Sequence, residues 1–144
     1  MAQDMPVYVH KVQYYETDQM KIVHHSNYIR WFEEARTAWM DAIGFSYARM
    51  EEEGVIVPVL SVDCQYKTMS KFGETVEIDI SISSFTGVRI IFSYEVRDAE
   101  TKEVRATGES SHAFLNADYR PISVKRNHPD IYALILKKMP ENEG

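Results

Sequence analysis

From Tyr28 onward, the apolar residues Tyr28, Trp31, Phe32, Ala35, Trp39, Ala42 and Ile43 return at three- and four-residue intervals, with Arg30, Glu33, Glu34 and Asp41 between them. This spacing predicts a helix with one broad buried face. Ser26 and Asn27 are N-cap residue types directly before it, and Gly44 is a stop signal directly after Ile43. A shorter helix is predicted over 46–53, with Tyr47 and Met50 on one side and Gly54 at its end. Pro129 suits a first helical position and predicts a last helix with Ile131, Leu134 and Ile135 on one side.

Elsewhere the period is two. Residues 7–15 are rich in β-branched and aromatic types and predict a first strand. Leu60, Val62, Cys64 and Tyr66 alternate with Ser61, Asp63 and Gln65, as in a strand with one wet face. Val76, Ile78, Ile80 and Ile82 repeat the pattern, Gly87 marks a turn, and Ile90, Phe92, Tyr94 and Val96 continue it, so two neighbouring antiparallel strands are predicted. After a polar turn at 98–102, residues 104–115 form a further strand, in which Ala106, Gly108 and Ser110 are unusually small. Two readings of Gly108 stand: close approach of a helix, or a bulge. The sum is an α+β domain, an antiparallel five-stranded sheet covered by one principal helix.

With 144 residues, the chain has the size of one domain, which buries roughly 68 to 70% of its unfolded surface. No repeat or linker divides it, so 1–144 is read as a single domain with a disordered tail at 140–144. Cys64 is the only cysteine, which rules out an internal disulfide and fits a reducing compartment. The start of the chain shows neither a charged leader nor an apolar stretch, and no run approaches a membrane span. A cytoplasmic location is expected. The net charge of −6 opposes broad attraction to nucleic acid or to an acidic membrane. A small polyanion is still compatible with Lys67, Lys71, Lys125 and Arg126, whose other reading is a solvated surface.

Chemistry concentrates between the first strand and the long helix, where Asp18, His24, His25, Asn27 and Tyr28 fall in one short window. Free backbone N–H groups and the dipole at a helix N-terminus favour negative charge, including an oxyanion forming on a carbonyl. A carboxylate opposite that end, such as Asp18, can attack the carbonyl or take a proton from an attacking water. An Asp before a helix is also an ordinary turn or cap residue. His24 and His25 are adjacent, not one helical turn apart, and no set of residues has recognisable metal-ligand spacing, so no metal is expected. His10 and His128 have no companions along the chain that point to chemistry, and His112 lies in phase with a buried strand face, as a hydrogen-bonded core histidine would. No Gly-x-Ser-x-Gly elbow is present.

The segments Tyr14-x-Glu16-Thr17-Asp18, Ile22-Val23-His24-His25-Ser26-Asn27-Tyr28 and Trp31-Phe32-Glu33-Glu34-Ala35-Arg36 resemble the signature of the 4-hydroxybenzoyl-CoA thioesterase-like hot-dog proteins, as does the run from Tyr66 to Glu74. The resemblance covers nearly the whole chain. It implies a hot-dog fold, in which the sheet wraps around the long helix, and hydrolysis of an acyl-CoA without metal or organic cofactor. It implies Asp18 as nucleophile or general base and a backbone N–H near His25 as the group polarising the carbonyl. His25 would have a supporting role, while Asn27 and Tyr28 would order the site. It further implies a homodimer paired edge to edge, or a tetramer of two such dimers, with sites at the interface. Where the family often has small residues and Gly, this chain has Gln19, Met20 and Lys21. Met20 either narrows an acyl pocket or points away from it. Trp39 and Tyr47 are core residues or acyl-cavity walls. The other functional readings are an acyl-thioester dehydratase or hydratase and a non-catalytic acyl-CoA binding protein, since one fold hosts many functions.

Overall fold

The computed structural model describes residues 7–139; the tail expected to be disordered lies outside them. The strands are β1 (Tyr8–Lys11), β2 (Val59–Tyr66), β3 (Thr75–Phe85), β4 (Arg89–Asp98) and β5 (Val104–Ala113). The helices are α1 (Ser26–Ala42), α2 (Tyr47–Glu52), α3 (Val124–Asn127) and α4 (Pro129–Leu136). All strand pairs are antiparallel, in the spatial order β1-β3-β4-β5-β2. None of the described helices is long and apolar enough to cross a membrane.

The alternating apolar residues of β3 and β4 are buried, and Trp31, Phe32, Ala35 and Trp39 of α1 meet them from above. Phe32 stacks on Tyr94 with ring centroids 4.3 Å apart, and Trp39 stands edge-on to Phe92. Trp39 is therefore a core residue. Gly108 pairs with Cys64 on one side and Tyr94 on the other in unbroken register, so it is no bulge. A Cβ there would lie 2.7 Å from Phe32 Cε2 and would strike the Asp63 carbonyl oxygen. Its role is to let α1 approach the sheet.

Three expectations need correction. The first strand stops at Lys11, and Tyr14–Glu16 turns into a 3-10 helix because the Glu16 carboxylate accepts the Gln13 N–H. The long helix begins at Ser26 with His25 as its cap, so Ser26 and Asn27 lie inside it; their side chains bond to the preceding loop instead. Strand β2 is wet on both faces within one chain: Leu60 is 47% exposed and Tyr66 49%, because β2 is an edge strand that α1 covers only in part.

Beneath α1 runs a buried polar chain. Arg36 donates to the Tyr47 and Tyr94 hydroxyls at 3.0 and 3.1 Å; Tyr94 and Ser110 share a hydrogen bond, and Ser110 meets His112 Nε2 at 2.8 Å. His112 is fully enclosed. Burial and then the Arg36 charge lower its pKa from 6.5 to about 4. Its contribution is complete above pH 6.5 and is lost as pH falls towards 4, about 3 kcal/mol in all at 1.36 kcal/mol per unit. Chemical denaturation of a His112→Gln variant is therefore expected to show a flatter decline between pH 7 and 5 than that of the parent.

Candidate active site

Asp18 sits at the start of a tight turn closed by the Thr17–Val23 bridge. Its N–H donates to the Ile22 carbonyl, its carbonyl accepts from Lys21 N–H, and Oδ1 accepts from Met20 N–H at 2.8 Å. The other carboxylate oxygen has no hydrogen-bond partner among the described residues. The turn requires a left-handed residue at Lys21, whose φ is +66°. This explains why glycine serves well in this segment. Met20 is 73% exposed and points away from the cleft.

The turn is fixed from below by Glu16, which carries no signal in the hydrophobic pattern. Its buried carboxylate accepts from Trp31 Nε1 at 2.9 Å and from the Gln13 N–H, and meets His10 Nε2 at 2.9 Å. Its carbonyl accepts from the His24 N–H and from Asn27 Nδ2 at 2.9 Å. His10 thus has a companion that linear spacing conceals. Burial raises the Glu16 pKa, but the bonds from Gln13, His10 and Trp31 outweigh it and hold the carboxyl below its ordinary value. Its stabilisation is present above pH 4.5 and is lost as pH falls through the lowered pKa. Glu16→Ala would strand the Trp31 and Gln13 donors; a loss of about 3 kcal/mol is expected, readable as a drop in denaturation midpoint, together with loss of turnover from a loosened loop.

Asp18, His25, Tyr28, Tyr66 and Lys67 share one cleft of about 280 Å³ with Met69. Tyr28 is buried and donates to Ser70 Oγ at 3.1 Å, and its ring leans on Tyr66. Tyr66 in turn donates to the His25 carbonyl at 3.2 Å. The His25 ring is exposed, stacked on His24 at 4.3 Å. At the start of α1, the N–H of Ser26 goes to His24 Nδ1, that of Asn27 to the His24 carbonyl and that of Tyr28 to the His25 carbonyl. Among the described residues the His25 N–H has no hydrogen-bond partner, and His25 and Asp18 both line the cleft.

Lys67 lines the cleft, and Lys71 lies beside it through its bridge to Ile22. Lys125 and Arg126 do not join them. They sit on α3, where Lys125 packs against Gly87 at the other end of the sheet, a strand length of about 30 Å away. The four cations therefore form no single cluster within one chain. Tyr47 borders a separate hollow with Glu51, Val57 and Tyr119. Outside the cleft, Glu53, His128 and Asp130 bring donor atoms within 4.8 Å of one another at the surface.

Fold and cleft together define a hot-dog protein whose cleft is lined by Asp18 and by the first residues of its long helix. Residues 12–140 match the model of the thioesterase-like superfamily, and the chain belongs to that family. It is 36% identical over 122 residues to a Bacillus subtilis protein provisionally named acyl-CoA thioesterase YneP, a match that spans 83% of this chain and 87% of that one. It is 28% identical over 90 residues to the acyl-CoA thioester hydrolase YbgC of Escherichia coli, covering 62% of this chain and 67% of the other. Among solved structures, the DHNA-CoA thioesterase of Staphylococcus aureus superposes with a TM-score of 0.85 at 32% identity, covering 92% of this chain and 89% of that one.

Proposed function

We propose that this protein hydrolyses acyl-CoA thioesters to a free carboxylic acid and coenzyme A, with Asp18 as the catalytic carboxylate. The observation that supports this reading is that Asp18, whose Oδ1 alone is engaged among the described residues, and His25 at the start of α1 line the same cleft. In the general-base route, Asp18 takes a proton from water, whose oxygen bonds to the thioester carbon. The His25 N–H stabilises the resulting oxyanion. Collapse breaks the C–S bond, and the departing thiolate takes up a proton. In the nucleophilic route, the carboxylate itself bonds to that carbon, the C–S bond breaks as the thiolate leaves and takes up a proton, and water then cleaves the resulting anhydride to the free acid and the restored Asp18 carboxylate. Asn27 orders the loop through Glu16, Tyr28 forms the cleft floor, and Lys67 and Lys71 are the cations nearest the entrance for the phosphates of coenzyme A. No metal or organic cofactor enters either route.

The uncovered apolar residues and free ladder edge of β2 support an edge-to-edge homodimer, since an open edge of this kind is a template for pairing. A tetramer of two such dimers is compatible with it. Thiol release from a panel of aliphatic and aromatic acyl-CoAs tests the activity. Release from saturated acyl-CoA supports hydrolysis; hydration of enoyl-CoA without thiol release would make the protein a hydratase instead. Tight binding without any reaction would make it a binding protein.

A further inference from the structure

Arg36 is 7% exposed, and among the described residues its hydrogen-bond partners are the hydroxyls of Tyr47 and Tyr94 alone. Among those residues no carboxylate pairs with it, and its Nη2, left without a partner, is not fully enclosed and stays open to a ligand. Burial raises the pKa of both tyrosines, which keeps them neutral at neutral pH, so neither balances the guanidinium charge. A largely buried charge without a counter-ion is costly, and a guanidinium with free donors is matched by a carboxylate held in a two-pronged bond.

The position of Arg36 says where such a carboxylate would come from. On α1, Ile29 and Arg36 share the flank that overhangs β2, as their seven-residue separation requires. Opposite them, Tyr66, Cys64 and Val62 face α1, because their partners on β5 are Ala106, Gly108 and Ser110, the small residues beneath the helix. Within one chain Ile29, Val62 and Tyr66 are all exposed along this flank, which forms an apolar lane bordering the edge where the proposed dimer would pair. It begins at Tyr66 in the Asp18 cleft and ends at Val62, next to Ser110 in the Arg36 chain of hydrogen bonds. From Tyr66 to Val62 is ~13 Å along an extended strand, and from Asn27 to Arg36 is ~14 Å along the helix. The two estimates agree.

Resting on the hydrolase reading above, we infer that the preferred substrate is an ω-carboxyacyl-CoA, its thioester at Asp18, its methylene chain on the lane and its far carboxylate on Arg36. The apolar lane accounts for the chain, and the unbalanced cation accounts for its charged end. Arg36 is on this account a specificity-determining residue that touches the substrate far from the reacting bond.

The test compares ω-carboxyacyl-CoAs with unsubstituted acyl-CoAs of equal carbon count, in a series of chain lengths, by kcat/KM from thiol release. The parent protein is expected to favour the carboxylated member at least tenfold at one length and to lose the preference at shorter lengths that cannot reach Arg36. Arg36→Met is expected to lower the preference for the carboxylated substrate over the unsubstituted one, as the ratio of their kcat/KM values, at least tenfold, chiefly through KM. Arg36→Lys, which keeps the charge but not the fork, is expected to fall between. A purely structural Arg36 would lower the melting temperature of both variants without moving the substrate ratio. If Arg36→Met does not fold, the parent's ratio and that of Arg36→Lys decide. Equal turnover of both substrate types at every length would overturn this inference alone. No thiol release from any acyl-CoA would overturn the hydrolase reading and this inference with it.

Discussion

Asp18→Asn is expected to lower kcat for a good acyl-CoA by about 10²- to 10⁴-fold, the usual contribution of a positioned general base. The substitution separates chemistry from architecture. The Asp18 oxygen that shapes the turn does so by accepting the Met20 N–H, and the amide oxygen of asparagine accepts the same bond. The backbone bonds to Ile22 and Lys21 do not involve the side chain. Fold, melting temperature and oligomeric state should therefore match the parent, while the proton acceptor or nucleophile is gone. Full activity in a folded Asp18→Asn protein would remove Asp18 from the mechanism. A single turnover in isotopically labelled water distinguishes the two routes in the parent. Solvent oxygen in Asp18 after the turnover establishes attack by the carboxylate, with water opening the anhydride at the Asp18 Cγ, whereas direct attack by water puts none there.

Gly108→Ala is expected to destabilise the protein by about 3 kcal/mol, at the upper end of the usual cost of overpacking. For a chain of this size, that corresponds to a fall in melting temperature of roughly 10 °C. The new methyl group would meet two obstacles of different kinds. The Phe32 ring at 2.7 Å is a side chain but is pinned on its other face by Tyr94. The Asp63 carbonyl oxygen is backbone in β2, fixed by the ladder to β5. Combining Gly108→Ala with Phe32→Leu is thus expected to relieve the first obstacle and not the second, so the double variant should recover only part of the loss attributed to the ring, as a double-mutant cycle would measure. An unchanged melting temperature in Gly108→Ala would mean that α1 can lift from the sheet at little cost. Because α1 carries the His25 cap and Asn27, a shift of the helix should also depress turnover.

Much of the architecture is legible without coordinates because secondary-structure period is a local property. The helix over α1 and the paired strands β3 and β4 follow from spacings of three to four and of two, and the signature around Asp18, His25 and Asn27 marks the loop that becomes the cleft wall. Local readings fail where partners come from far along the chain. Ser26 and Asn27 are cap residue types, yet the tie between Asn27 and the Glu16 carbonyl draws Asn27 into the helix, and the cap falls to His25. His10 has no companion in sequence and a carboxylate at 2.9 Å in space. Lys67 and Lys125 have like charges but sit at opposite ends of the sheet, because residues close in composition need not be close in the ladder. Strand β2 carries the alternation of a half-buried strand, but one helix is too narrow to cover all five strands, so its apolar face stays open. The sequence by itself determined the elements, the hot-dog pattern and the identity of the candidate carboxylate, since these rest on short-range periodicity and a contiguous motif. Only the tertiary structure decided which donors remain free around Asp18 and that Arg36 is buried without an anion, since burial and pairing depend on what the whole fold brings together.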